Sequence, residues 1–185
     1  MPVPGGRVPT YVALLRGINV GKAKRVAMAD LRAAIESLGF REVRTLLNSG
    51  NAVFRSPRPL KRTAAEDLQA ALLKKTGVSS RFTLRSAGEL QAIVAANPLV
   101  DVGTDHTRLF CAFVTSAGDM KFLKPVVAQL WKPEIVATGP GVAYVWCPNG
   151  LLESKASMAV SRALGDGVTV RNWATVLKLA TLASS

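Results

Sequence analysis

Histidine is almost absent from this chain of 185 residues, with a single copy, and cysteine appears only twice. So few ligands argue against a protein-built zinc site, and two thiols make no disulfide scaffold. Acids are scarce too, 12 of them against 24 lysines and arginines. No apolar run approaches the ~20 residues needed to cross a bilayer, so no membrane partner is expected. Residues 1–9, rich in Pro and Gly, lack the apolar stretch of a signal peptide and read as a flexible arm. Thiols without a partner framework suit a reducing compartment, and the cytoplasm is the expectation.

What is present is a folding composition, 49% hydrophobic and 19% charged, unlike that of a disordered chain. The formal net charge of +12 favours encounters with polyanions. An anionic small molecule or nucleic acid is therefore the expected partner, and no cofactor is implied.

The pattern along the chain repeats. Thr10–Arg16 reads as a buried strand, followed by a Gly- and Lys-rich loop over residues 17–27. Leu31, Ala34, Ile35 and Leu38 recur at helical spacing, and Gly39 stops that helix. Glu42–Asn48 and Asn51–Arg55 are strands about a two-residue turn at Ser49-Gly50. Thr63-Ala64-Ala65-Glu66 and Ser86-Ala87-Gly88-Glu89 have the form of capping boxes, opening helices on either side of a strand at Ser80–Arg85. The second half repeats the order. Its strands are Arg108–Thr115, Glu134–Thr138, Val142–Cys147 and Val168–Arg171. Its helices fall within Asp119–Trp131, over Ser157–Leu164, and after Asn172, a good N-cap. The predicted fold is α+β: two tandem ferredoxin-like (βαββαβ) halves, residues 10–98 and 106–183. Each has a four-stranded antiparallel sheet, strand order 4-1-3-2, and an extra helix after the fourth strand.

In that topology the first and second strands run parallel, so the loop after one and the turn after the other leave at the same end. Arg16, Gly17, Asn19, Gly21, Lys22 and Lys24 are thereby predicted to meet Ser49, Gly50 and Asn51 around one small volume. The glycines can bare backbone amides, and Arg16 offers a planar fork. The same residue types also serve ordinary turns. Gly17 to Lys22 is not a nucleotide-hydrolase phosphate loop: three residues separate its glycines instead of four, and Ala23 stands where a magnesium-binding hydroxyl belongs. A second candidate anion site is the strand-to-helix junction at Arg171, Asn172 and Trp173, whose alternative is a capped helix with a packed tryptophan.

Other features point less far. Tyr144 and Trp146 share a strand face near Phe110 or Phe113, as in single-strand RNA readers, but a covering helix would make them core. Lone His106 lies in a loop with Asp101 and Asp105, and no nucleophile–histidine pair can be drawn. Cys111 and Cys147 fall on neighbouring strands and are expected as reduced, buried thiols. The expected function is non-catalytic binding of a phosphate-bearing ligand through the basic loop. A small-molecule enzyme with its site at the same loop and turn is the alternative.

The run Tyr11-Val12-Ala13-Leu14-Leu15-Arg16-Gly17-Ile18-Asn19-Val20-Gly21, the Ser49-Gly50-Asn51 turn and the Thr169/Arg171-Asn172-Trp173 segment together resemble the domain-of-unknown-function family 1697. The resemblance implies a bacterial-type cytoplasmic protein of two ferredoxin-like halves, with no established activity. It implies signature positions at Arg16, Gly17, Asn19, Gly21, Ser49, Gly50, Asn51, Arg171, Asn172 and Trp173. Lys22 stands where the family commonly shows a second glycine, which implies a stiffer, more basic loop.

Overall fold

β1 (Thr10–Leu15) is an apolar run rather than an alternating one, and its last four residues are buried. A strand covered on both faces reads this way. The structure, a computed structural model, describes residues 8–185. β1 lies inside a four-stranded sheet with β2 (Arg41–Thr45), β3 (Asn51–Arg55) and β4 (Phe82–Ser86), in the order β2-β3-β1-β4. Every neighbouring pair is antiparallel. Ala13 and Leu15 join Phe54 and Phe82 in a core against helices α1 (Met28–Glu36) and α2 (Ala64–Thr76), which contribute Leu31, Ile35, Leu68 and Leu72. Val12 and Leu14 alternate to the other face and are buried there as well.

Gly39, expected as a helix stop, takes φ +85°, and Gly77 ends α2 at φ +71°. Phe40 then folds back onto Phe54, ring centroids 4.7 Å apart. Two expected turn details differ. Thr63 makes no side-chain cap: its backbone, at φ −86° and ψ 4°, lacks the extended conformation of a capping residue, and its hydroxyl donates to Asp67 Oδ2, 3.1 Å away. The β2–β3 connection is also not a two-residue turn: it runs over residues 46–50, closed by Leu46 N–H donating to Asn51 O at 3.0 Å.

The second sheet repeats the plan. β5 (Leu109–Val114), β6 (Ile135–Gly139), β7 (Val142–Trp146) and β8 (Val168–Asn172) are ordered β6-β7-β5-β8, all antiparallel. A 3-10 stretch (Ala117–Leu123) leads into the short α4 (Lys124–Ala128), whose Pro125 sits in the first turn, where no N–H is needed. With α5 (Lys155–Leu164) these pack on Ala112, Val114, Val136, Ala143 and Val145. Counting α3 (Ala87–Ala95) and α6 (Trp173–Ser184), six α-helices and two four-stranded antiparallel sheets make up the described residues, an α+β fold.

The chain forms two compact units, one reaching to Leu90 and including Thr181–Ser185, the other Gln91–Ala180. The divisions fall inside α3 and α6, not in the loops that separate residues 10–98 from 106–183. Hydrogen bonds show why. Tyr144 Oη on β7 donates to Ile93 O of α3 at 2.7 Å. Arg44 on β2 donates to Leu182 O (2.7 Å) and Ser185 Oγ (2.8 Å) at the end of α6. Element order alone does not say which sheet a helix covers. Of the arm expected over residues 1–9, residues 1–7 lie outside the described residues; Pro9 O accepts Ser56 N–H at 3.0 Å. Among the described residues, no helix is long and apolar enough to cross a membrane.

Candidate functional site

At the end of β1, Arg16 N–H donates to Arg81 O (3.1 Å), and Arg16 O accepts Ser80 Oγ (2.9 Å). Ile18 then drops back into the core and is buried. Asn19 adopts φ +54°, a left-handed conformation asparagine tolerates better than most side chains. Its N–H donates to Lys24 O at 3.0 Å. Its side-chain amide donates to Val26 O (2.9 Å) and Asn48 O (2.7 Å), while Oδ1 accepts Val26 N–H (2.9 Å). One asparagine thus closes the loop on itself and pins it to the β2–β3 connection.

Both segments therefore meet, as the topology predicts, but the Asn19 and Asn51 amides, expected to face a ligand, bond to backbone groups. Asn51 is buried, donating to Leu46 O and Ser49 Oγ, both at 2.9 Å. Gly50, at φ +84°, is required by packing: a Cβ there would fall 2.7 Å from Leu15 Cβ and 2.8 Å from Ile18 Cδ1. Gly17 and Gly21 are exposed, at φ +66° and +64° in open space. What the loop shows outward is charge. Lys22, Lys24 and Arg25 are exposed, and no acid occurs between Arg16 and Ala29.

Arg171, Asn172 and Trp173 work inside the second unit. Arg171 Nη1 donates to Val170 O at 2.9 Å. Burial pulls its guanidinium down to about 10, so it stays charged at neutral pH. Asn172 Oδ1 accepts Thr175 N–H at 2.9 Å and caps α6. Trp173 is buried edge-on to Tyr144, 6.1 Å between centroids. A sequence signal does mark this arginine. Thr83-Leu84-Arg85-Ser86 on β4 and Thr169-Val170-Arg171-Asn172 on β8 pair with β1 and β5 at equivalent positions. Arg85 Nη1 likewise donates to the preceding carbonyl, at 2.8 Å. The two halves are thus closer in sequence here than their other elements suggest.

Tyr144 and Phe113 are fully buried, so neither ring is open for bases to stack on, and Trp146 is half-buried. Asp105 accepts Thr107 N–H (2.9 Å) and Thr107 Oγ1 (2.6 Å), bonds that hold its carboxyl below the usual value. It forms a turn, not a dyad with exposed His106. Neither cysteine is in a disulfide, and both are buried. Cys147 shares the helix-side core with Ala143 and Val145, whereas Cys111, in register with Tyr144, alternates to the opposite face. They make no redox pair. The Cys147 thiol donates to Ser154 Oγ at 3.3 Å, and burial pushes it up to about 11. Among the described residues, no group of three His, Cys, Asp or Glu can hold a metal ion.

A family model described as a protein of unknown function, DUF1697, matches residues 8–144. The chain belongs to the DUF1697 family. The match takes in the Arg16–Arg25 loop and the Ser49–Asn51 segment, while Arg171–Trp173 lies beyond it. A conserved bacterial protein of Streptococcus pneumoniae has a solved structure similar to this DUF1697 chain. The two are 24% identical, with a TM-score of 0.72, over 96% of this chain and 99% of that one. No curated protein matches.

Proposed function

We propose that this protein binds a phosphate-bearing polyanion, nucleic acid among the candidates, through the basic end of its first sheet, and that it does so without catalysis. One observation carries the reading: Lys22, Lys24 and Arg25 are exposed on a loop whose backbone is fixed by four hydrogen bonds of Asn19. A fixed loop presents its charges with less ordering cost on binding than a loose one. Arg16 and exposed Arg81 adjoin it through their backbones, and the net charge of +12 attracts the same class of ligand.

The alternative of a small-molecule enzyme at this end draws less support, since the Asn19 and Asn51 amides are engaged by backbone groups. We read each half as a ferredoxin-like unit, a reading supported by the strand order and by two helices on one sheet face. Two buried thiols outside any disulfide favour a reducing, cytoplasmic setting.

Fluorescence anisotropy with a labelled thymidine oligonucleotide, over a series of salt concentrations, tests the reading. For single strands, log affinity falls with log salt at roughly 0.7 per phosphate neutralised. Lys22→Ala/Lys24→Ala/Arg25→Ala is expected to flatten that slope by about 2. An unchanged slope and affinity in the triple variant would refute it.

A further inference from the structure

The two sheets repeat one plan, yet their outer second strands are finished differently. β2 carries Arg41, Glu42 and Arg44, and its pairing with β3 shifts register between Arg41 and Arg44. Glu42 sits at φ +50°, and Arg44 is hydrogen-bonded to Leu182 and Ser185. Charge, an irregularity and a bound cover are devices that keep an edge from pairing with other chains. β6, in the equivalent place, has none of them. It reads Ile135-Val136-Ala137-Thr138-Gly139, without charge, and keeps five consecutive pairs with β7 in even register.

The direction of its free backbone groups follows from that register. Val114 N–H donates to Gly141 O at 3.0 Å, and Phe113 stands opposite Val142. Val142 therefore turns its own N–H and C=O away from β5 and toward Gly139 on β6. By antiparallel alternation, Ile135, Ala137 and Gly139 bond β7, and Val136 and Thr138 point theirs outward. No partner for these outward groups occurs among the described residues.

Beside this edge lies a groove of about 590 Å³. Thr138 forms one wall, and Met120, Leu123 and Val127 give it an apolar floor with Lys121 and Lys124 at the rim. No acid lines it. Glu134 is occupied by Ala156 N–H (2.8 Å), and Asp119 lies toward Gly167.

We propose that β6 is a docking edge for an extended peptide that adds a fifth strand, places an apolar side chain in the groove and sets acidic residues against Lys121 and Lys124. Main-chain bonds to Val136 and Thr138 supply the affinity of such strand addition, and the groove with its lysines supplies the choice of partner. The acidic character follows from charge complementarity: the rim is cationic and the protein carries +12.

The test is a nitrogen-15 NMR titration with a synthetic hexapeptide alternating Glu and Val, and with its Lys/Val counterpart as control. The expected result is movement of the Val136 and Thr138 amide signals with the acidic peptide only. Thr138→Pro, which removes an outward N–H from an exposed edge position, is expected to weaken binding tenfold or more. Lys121→Glu/Lys124→Glu, on exposed side chains that leave the core intact, is expected to reverse the preference between the peptides. Unmoved edge amides at saturating peptide, equal binding of both peptides, or no effect of either variant would overturn the proposal. So would a concentration-dependent dimer in sedimentation that Thr138→Pro dissolves, since that would assign the edge to a second copy of this chain.

Discussion

Replacing Asn19 by alanine separates a scaffold residue from a ligand residue. The side chain makes three hydrogen bonds to the backbone, two as donor to Val26 O and Asn48 O and one as acceptor from Val26 N–H. Each is worth about 0.5–1.5 kcal/mol net. The site is only half-buried, so water replaces part of what is lost, and the lower half of that range applies. Alanine also fits the left-handed φ of +54° less well than asparagine. Together these give a cost of roughly 2–3 kcal/mol. For a chain of this size that lowers the melting temperature by about 4–12 °C in a calorimetric scan. Oligonucleotide affinity should fall only modestly, because the lysines remain but on a looser loop. Asn19→Asp is expected to be worse, since it keeps the acceptor for Val26 N–H but sets a carboxylate against two carbonyl oxygens. If Asn19→Ala melts like the parent protein while oligonucleotide binding is abolished, the side chain touches the ligand and this reasoning fails.

Gly50→Ala should cost roughly 2–5 kcal/mol, combining a positive-φ penalty with overpacking against Leu15 and Ile18. Gly17→Ala, with the same kind of φ but open space, should cost only about 1–2 kcal/mol; equal melting temperatures would contradict the packing account. Ser86→Ala should cost about 1 kcal/mol, because Ser86 and Glu89 exchange reciprocal cap bonds at 3.1 and 2.7 Å. Thr63→Ala should cost much less, a contrast readable in urea midpoints. The Cys147 thiol is raised from its ordinary 9.0 to about 11, so the folded state holds its proton more tightly. Its contribution is complete below pH 9 and is lost as pH rises toward 11; native-state labelling by a thiol reagent at pH 8 should therefore be slow and follow unfolding.

Much of this architecture is legible in local chemistry. The Ser86 box, the Asn172 cap and the glycine stops at Gly39 and Gly77 are decided within a few residues, where sequence carries the answer. β3 stands where its apolar run places it, at Asn51–Arg55. The misreadings come from backbone conformation or from distance. Thr63 has the residue type and spacing of a cap, but its backbone is not extended, and spacing does not show that. The connection before Asn51 looks like a two-residue turn until the buried Asn51 amide, reaching back to Leu46 O, lengthens it. Asn19 is the clearest case. An asparagine among glycines and lysines suits a ligand site, and nothing nearby shows that Val26 and Asn48 will take up its donors.

Comparison of the halves separates what the fold needs from what this chain adds. After β5 only Thr115 and Ser116 intervene before the 3-10 stretch at Ala117 begins. After β1 the chain spends residues 16–27 before α1 starts at Met28. The same topology therefore closes without a long loop, and the long one is not a requirement of the scaffold. Its ends are still tied in, since Ile18 and Val26 are buried in the first core; shortening the loop would remove them and damage that core. Between those anchors, Lys22, Lys24 and Arg25 contribute no burial and remain exposed. A stretch anchored by its apolar residues and its asparagine, yet cationic wherever it meets water, separates structural from recognition roles position by position. The triple alanine variant at Lys22, Lys24 and Arg25 should accordingly melt within about 2 °C of the parent, as surface changes of about 0.5 kcal/mol do, while Ile18→Ala should cost about 2–5 kcal/mol. A triple variant that unfolds like Ile18→Ala would return the lysines and arginine to a structural role and remove the case for a binding loop.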